Sequence, residues 1–124
     1  MSTSASKDIA LVTGAAQGIG RAIALRLADD FDVAVNDLAS NGPALDSLAA
    51  KIIGKGRRSC TLLADVSIED EVKNMISIAV TELGGLDVVH TAASFGPKFC
   101  TDVASQMVAN TGIYSEASIL ECQS

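Results

Sequence analysis

An unbroken apolar run, Ile9-Ala10-Leu11-Val12, passes straight into Thr13-Gly14-Ala15-Ala16-Gln17-Gly18-Ile19-Gly20, and no other feature of the sequence restricts the fold as much. A run without polar alternation is what a parallel strand covered on both faces requires. Past Gly18 the pattern turns helical, with Ile19, Ala22, Ile23 and Leu27 predicted on one apolar stripe. Between strand and helix the chain has to turn tightly, and each glycine has its own reason. A Cβ would obstruct the turn at Gly14, the approach of another group at Gly18, and the packing of helix on strand at Gly20.

The same alternation continues downstream. After the acidic pair Asp29-Asp30, Val33-Ala34-Val35 reads as a second strand. Pro43, following Asn41-Gly42, fits a first helical turn; Leu45, Leu48, Ala49 and Ile52 supply an apolar face, with Gly54 as the C-cap. Cys60-Thr61-Leu62-Leu63-Ala64 reads as strand three. Ser67 and Asp70 resemble a capping box that opens a long helix carrying Val72, Met75, Ile76, Ala79, Val80 and Leu83. Leu86-Asp87-Val88 begins a fourth strand, and from Val89 onward the periodicity stops, with Gly96-Pro97 breaking any element. About four strands joined by three crossover helices predict an α/β fold with right-handed connections. The most economical arrangement is half of a doubly wound parallel sheet.

A chain of 124 residues is long enough for one domain, and 48% hydrophobic with only 3% aromatic residues suits packed α/β layers. The net charge is −6 and the basic residues are scattered apart from Lys55, Arg57 and Arg58, so no nucleic-acid partner is expected. Cys60, Cys100 and Cys122 contain no CxxC pair, which predicts neither a metal site nor a disulfide framework. Met1 to Lys7 lacks an apolar core and no run of about 18 apolar residues occurs, so the expectation is no membrane association and a cytoplasmic location.

A glycine-rich turn leading into a helix is where backbone N–H groups and the helix dipole hold a pyrophosphate. Asp37 follows the second strand, 17 residues beyond Gly20, where a carboxylate can accept hydrogen bonds from the hydroxyls of an adenosine ribose. The same charge repels a 2′-phosphate, and no Lys or Arg interrupts the glycine loop, so NAD is expected in preference to NADP. A nucleotide-binding methyltransferase uses a similar loop and acid, and these two features alone leave both classes open.

Further residues carry a resemblance. Thr13-Gly14-x-x-x-Gly18-Ile19-Gly20, Ala64-Asp65-Val66 and Leu86-Asp87 together resemble the short-chain dehydrogenase/reductase family, almost continuously over residues 8 to 88. The resemblance implies a Rossmann-type fold and an oxidoreductase that transfers hydride between NAD and a small alcohol or carbonyl substrate. It also implies a cofactor site built from Gly14, Gln17, Gly18, Ile19, Gly20, Asp37, Leu38, Asp65, Val66 and Asn110, with Asp65 expected on the adenine amino group. The run Gln17 to Leu25 is similar to that of NAD-dependent reductases of small diketones and sugars.

The sequence then departs from the family. Where the pattern asks for Asn-Asn-Ala-Gly it has Val89-His90-Thr91-Ala92-Ala93, while Met107-Val108-Ala109-Asn110-Thr111-Gly112-Ile113 supplies the missing motif later. Joining Val88 to Met107 gives an unbroken strand. The expected organisation is therefore a dinucleotide-binding half (1–88), an insertion (89–106) and a strand-four remnant with a tail (107–124). Eighteen residues correspond to 54 nucleotides, every Val codon begins with GT and Gln can be encoded by CAG, which is the pattern of a retained intron. The Ser, Tyr and Lys that do the family's chemistry have no counterpart: Tyr114 is followed four positions on by Ser118, and His90 is read as inert, so no catalytic residue is assigned. The family's oligomer helices and nicotinamide half-site would lie beyond Ser124, which predicts no turnover by this chain and strand four as an exposed apolar edge. The rival readings are a nonenzymatic NAD-binding module and a misspliced product without independent function.

Overall fold

A computed structural model describes residues 9–91 and the two-residue strand at 119–120. Five parallel strands, β1 (Ile9–Thr13), β2 (Asp32–Asp37), β3 (Ser59–Leu63), β4 (Val88–Thr91) and β5 (Ile119–Leu120), lie in the order β3-β2-β1-β4-β5. Helices α1 (Gly18–Leu27), α2 (Gly42–Gly54) and α3 (Glu69–Leu83) make the crossovers. The chain leaves β1 toward one edge for β2 and β3, then returns across the sheet to place β4 on the other side of β1. This is the doubly wound α/β arrangement, and its switch point lies between β1 and β4, beyond the strands' carboxyl ends.

Strand alternation decides which residue meets which layer. Ile9 and Leu11 face α3, packing with Val72, Met75, Ile76, Ala79 and Leu83. Val12, Val33 and Val35 face the opposite way, into a cluster with Ala24 of α1, Ala28 at its C-cap and Leu45, Leu48 and Ile52 of α2. All five residues of β1 are buried, as the unalternating run predicts. Asp87 pins the start of this strand from both sides of its backbone: its carboxylate accepts from the Ile9 N–H at 2.9 Å, and its own N–H donates to the Ile9 carbonyl at 2.8 Å.

The basic cluster is engaged in joining elements. Lys55 pairs with Asp29 at 2.7 Å, Arg57 donates to the carbonyls of Phe31 and Asp30, and Arg58 reaches both Asp32 and the Leu83 carbonyl near the end of α3. No helix among the described residues is long and apolar enough to cross a membrane.

Local details differ from the sequence reading for identifiable reasons. The buried stripe of α1 is Gly20 and Ala24, continued by Ala28 at its C-cap, with Ile23 and Leu27 packed partly against the core, while Ile19 is 74% exposed. Small residues let this helix lie close to the sheet, and a pattern scored on large apolar side chains misses them. Gly54 ends α2 in helical geometry, and the left-handed residue is Gly56 at φ +90°, two positions on. Ser67 and Asp70 form no capping box; the first helical residue of α3 is Glu69, and Asp65 and Glu71 make the local bonds instead. Strand β4 continues through Val89, His90 and Thr91, paired with Leu11, Val12 and Thr13, because Val89 is apolar and fully buried against the α3 layer. A fifth strand lies alongside it, pairing Ile119 with Val89 and Leu120 with His90, so β4 is not an edge. Two residues are too short to show any period.

Candidate functional site

At the carboxyl ends of β1, β2 and β3, three connections converge. The first is the glycine turn. Gly14 and Gly18 have φ of +65° and +63°, the left-handed region that L-residues with a Cβ rarely adopt. A Cβ on Gly18 would meet nothing within 4 Å, so protein packing does not require glycine there; backbone conformation does, and the space in front of it is open. Gly20 is buried on the α1 face toward the sheet.

Gln17 is the N-cap of α1 in extended conformation and makes no side-chain capping bond, and the first turn holds no acidic residue. The first turn of α1 therefore supplies no neutralising side chain of its own to the positive end of the helix. Helix α3 is the internal contrast: Glu69, Asp70 and Glu71 fill its first turn, so its terminus is already compensated.

The second connection leaves β2 at Asn36-Asp37. Asn36 is buried, and its amide donates to the carbonyls of Leu62 at 2.9 Å and Ala64 at 3.2 Å, binding the ends of β2 and β3 together. Its own carbonyl accepts from the Ala15 N–H at 2.9 Å, which ties the glycine turn to the same strand end. Asp37 completes the arrangement. Oδ2 accepts from the Ala16 N–H at 2.9 Å, and Oδ1 accepts from the Leu38 N–H at 2.7 Å and the Asn41 amide at 2.9 Å. Partial burial works to raise the Asp37 pKa, but the Asn41 amide and the Ala16 and Leu38 N–H groups outweigh it and hold the carboxyl below its ordinary range. Leu38 itself is 47% exposed, so it and Ile19 stand as large apolar side chains at the rim.

The third connection follows β3. Asp65 accepts from the Ser67 hydroxyl at 2.6 Å and the Ser67 N–H at 2.9 Å, which lowers its pKa, and its N–H donates to Glu71 at 2.7 Å. Val66 is buried in the α3 layer. Gly14, Gln17, Gly18, Ile19, Gly20, Asp37, Leu38, Asp65 and Val66 thus all lie on the three turns at this end of the sheet, while Asn110 and Tyr114 lie outside the described residues.

Sequence reasoning missed Asn36, Asn41 and Glu71. Asn36 did carry a signal, a lone amide ending an apolar strand, since a polar group buried there needs partners. The roles of Asn41 and Glu71 depend on chain reversals of 4 and 6 residues and had no such signal. Among the described residues, two buried side-chain polar atoms have no partner, Thr13 Oγ1 and His90 Nδ1, on the neighbouring strands β1 and β4.

A family model described as short chain dehydrogenase matches residues 8–121. The chain is 62% identical over 90 residues to a short-chain dehydrogenase/reductase of Armillaria gallica, covering 71% of this chain and 34% of that protein. It is 46% identical over 81 residues to a 3-oxoacyl-acyl-carrier-protein reductase of Staphylococcus epidermidis, covering 64% of this chain and 33% of the reductase. Among solved structures, a short chain dehydrogenase of Burkholderia cenocepacia in complex with NADP superposes with a TM-score of 0.75 at 27% identity, over 83% of this chain and 50% of that one. The chain therefore spans about a third of the length of the curated relatives it matches.

Proposed function

The chain belongs to the short-chain dehydrogenase family, and from that premise we propose that it contributes the adenosine and diphosphate half of a nicotinamide-dinucleotide site to an oxidoreductase acting on a small alcohol or carbonyl compound. The observation that carries the reading is the Asp37 carboxylate bonded to the Ala16 N–H of the glycine turn, beside a helix terminus with no acid of its own. The residues fit such a cofactor on both counts. The open space at Gly18 and the uncompensated end of α1 suit a diphosphate, and an ionised carboxylate at the end of β2 suits a ribose diol.

In this reading Gly14, Gln17, Gly18 and Gly20 form the diphosphate turn, Ile19 supplies an apolar wall, and Leu38, Asp65 and Val66 flank the adenine, with Asp65 taking its amino group. Asn110 is assigned to the same site by resemblance alone. When bound, the nicotinamide supplies hydride exchange with carbon; the residues named here bind and orient the other end of the molecule. NAD is preferred to NADP because Asp37 is charged and Lys55, Arg57 and Arg58 are engaged with Asp29, Asp32 and backbone carbonyls, so none of them is committed to a 2′-phosphate. Calorimetric titration of the purified chain with ADP-ribose, NAD and NADP tests this. Saturable binding of ADP-ribose and NAD, both stronger than NADP, is the expected result; equal or tighter NADP binding overturns the preference, and no binding of any of the three overturns the site.

A second proposal concerns residues 89–106, which we read as an insertion of retained-intron type. The favouring observation is His90, whose Nδ1 is buried without a partner among the described residues, opposite Val12. If 89–106 were absent, the β4 register would set Met107 in the place of Val89, Val108 in that of His90 and Ala109 in that of Thr91, with Asn110 next beyond the strand. An apolar residue would then replace the imidazole whose Nδ1 has no partner among the described residues. Sequencing of mature transcripts tests the idea: a spliced form lacking these 54 nucleotides is expected, and their presence in every message refutes it.

A further inference from the structure

Asn41 occupies the N-cap position of α2, where an Asn ordinarily turns its side-chain oxygen onto the N–H groups of the first turn. It does not do so here. No side-chain capping bond is made, and Pro43 in that first turn has no N–H to satisfy. The Asn41 amide is directed backward, with Nδ2 donating to Asp37 Oδ1 at 2.9 Å. The short 3-10 turn Ala39–Asn41 makes this reach possible by folding the chain back on itself, closed by the Asn41 N–H on the Leu38 carbonyl at 2.9 Å.

A carboxylate offers about four acceptor positions. On Asp37, Leu38 N–H and Asn41 Nδ2 take both of those on Oδ1, and Ala16 N–H takes one on Oδ2. Among the described residues one position remains, on Oδ2. The carboxylate is thereby held in a single orientation, and the only acceptor site left for a ligand is on the oxygen that also holds the glycine turn. We propose that Asn41 is a specificity-positioning residue: by closing Oδ1 it presents Oδ2 of Asp37 to a ribose hydroxyl, so the chain selects adenosine diphosphates with a free 2′-hydroxyl over those with a 2′-phosphate. This rests on the cofactor reading above and adds to it the residue that sets the discrimination.

Substitution at position 41 separates this role from helix capping. Asn and Asp are about equal as N-caps, and a negative charge beside the first turn favours the helix, so Asn41→Asp keeps or improves the capping of α2. It nevertheless replaces the donor facing Asp37 by a second carboxylate. Calorimetry with ADP-ribose and its 2′-phosphate analogue is expected to show ADP-ribose binding weakened about 3- to 10-fold in Asn41→Ala, the cost of ordering on binding a carboxylate that Asn41 no longer holds beforehand, and more in Asn41→Asp. Binding of the 2′-phosphate analogue is expected to stay within about twofold in Asn41→Ala, because a 2′-phosphate gains nothing from an oriented Asp37 carboxylate. In an Asp37→Ala background, Asn41→Ala should change neither ligand. In the ligand-free chain, the Asp37 carboxyl titration followed by NMR should move upward in both variants. Wild-type affinity for ADP-ribose in Asn41→Asp, or the same loss with and without Asp37, overturns the role of Asn41 while leaving the site intact; absence of binding by the parent chain overturns both.

Discussion

Replacing Asn36 probes the junction from which the candidate site is built. Its side chain is buried, and both amide hydrogens are used, on the carbonyls of Leu62 and Ala64. Asn36→Ala removes two hydrogen bonds, together about 1–3 kcal/mol, and leaves the carbonyl oxygens they served short of a donor at about 1 kcal/mol more, so a net loss of about 2–4 kcal/mol follows. Against total stabilities of about 5–15 kcal/mol this is a large fraction. In urea, with a slope of about 1.5 kcal/mol per molar, the midpoint should fall by about 1.3–2.7 M. Asn36→Asp sharpens the test because it keeps the shape and replaces the donor by a charged acceptor. At pH 7 a carboxylate facing two carbonyls should destabilise more than Ala does. Burial and the carbonyl dipoles raise the folded-state pKa of such an acid above its unfolded value of about 3.9, so protonation favours folding and stability should recover as pH falls through the raised value. The assay is urea unfolding by circular dichroism at pH 7 and pH 5. An Asn36→Asp variant whose midpoint at pH 7 lies within about 0.3 M of the parent would refute the donor role.

Asp37 behaves in the opposite sense: its folded pKa is lowered, so its stabilising contribution is present above the unfolded carboxylate pKa and is lost as pH falls through the folded value. Asp37→Asn should therefore flatten the acid limb of the stability profile measured by thermal unfolding between about pH 5 and pH 2. Gly18→Ala should cost about 1–2 kcal/mol from its left-handed backbone alone, since its Cβ meets no protein atom, and Gly18→Asn should cost less, as differential scanning calorimetry would record. Burial first, and then the charge of Glu82, push the Cys60 thiol up to about 11, so mass-mapped alkylation at pH 8 should label Cys60 far more slowly in the folded chain than in urea.

The sequence by itself determined the strand–turn–helix order. The reason is that the determining signals are local: an unalternating run demands two covered faces, and a tight turn into a helix demands positions without a Cβ. Gly14 and Gly18 have the left-handed backbone that only glycine adopts cheaply, and β1 is buried along its whole length. The family was legible for the same reason, because its signature is spelled by these consecutive residues. The helix ends were less legible, since whether Gly54 or Gly56 takes the left-handed place, or whether Ser67 caps a helix, depends on differences of about 1 kcal/mol that tertiary contacts override.

What only the tertiary structure decided is who holds the carboxylates. Ala16 and Asp37 are 21 positions apart and meet because β1 and β2 are neighbours; Asn36 reaches carbonyls 26 and 28 positions away because β3 lies on the far side of β2. The length of β4 was likewise decided in space. Val89, His90 and Thr91 break the sequence pattern, yet they pair with Leu11, Val12 and Thr13, because a strand is extended by the backbone ladder and one buried Val. Periodicity along a chain reports the face each residue turns to the core; it carries no information about the group that comes from another strand to meet a side chain at the end of the sheet.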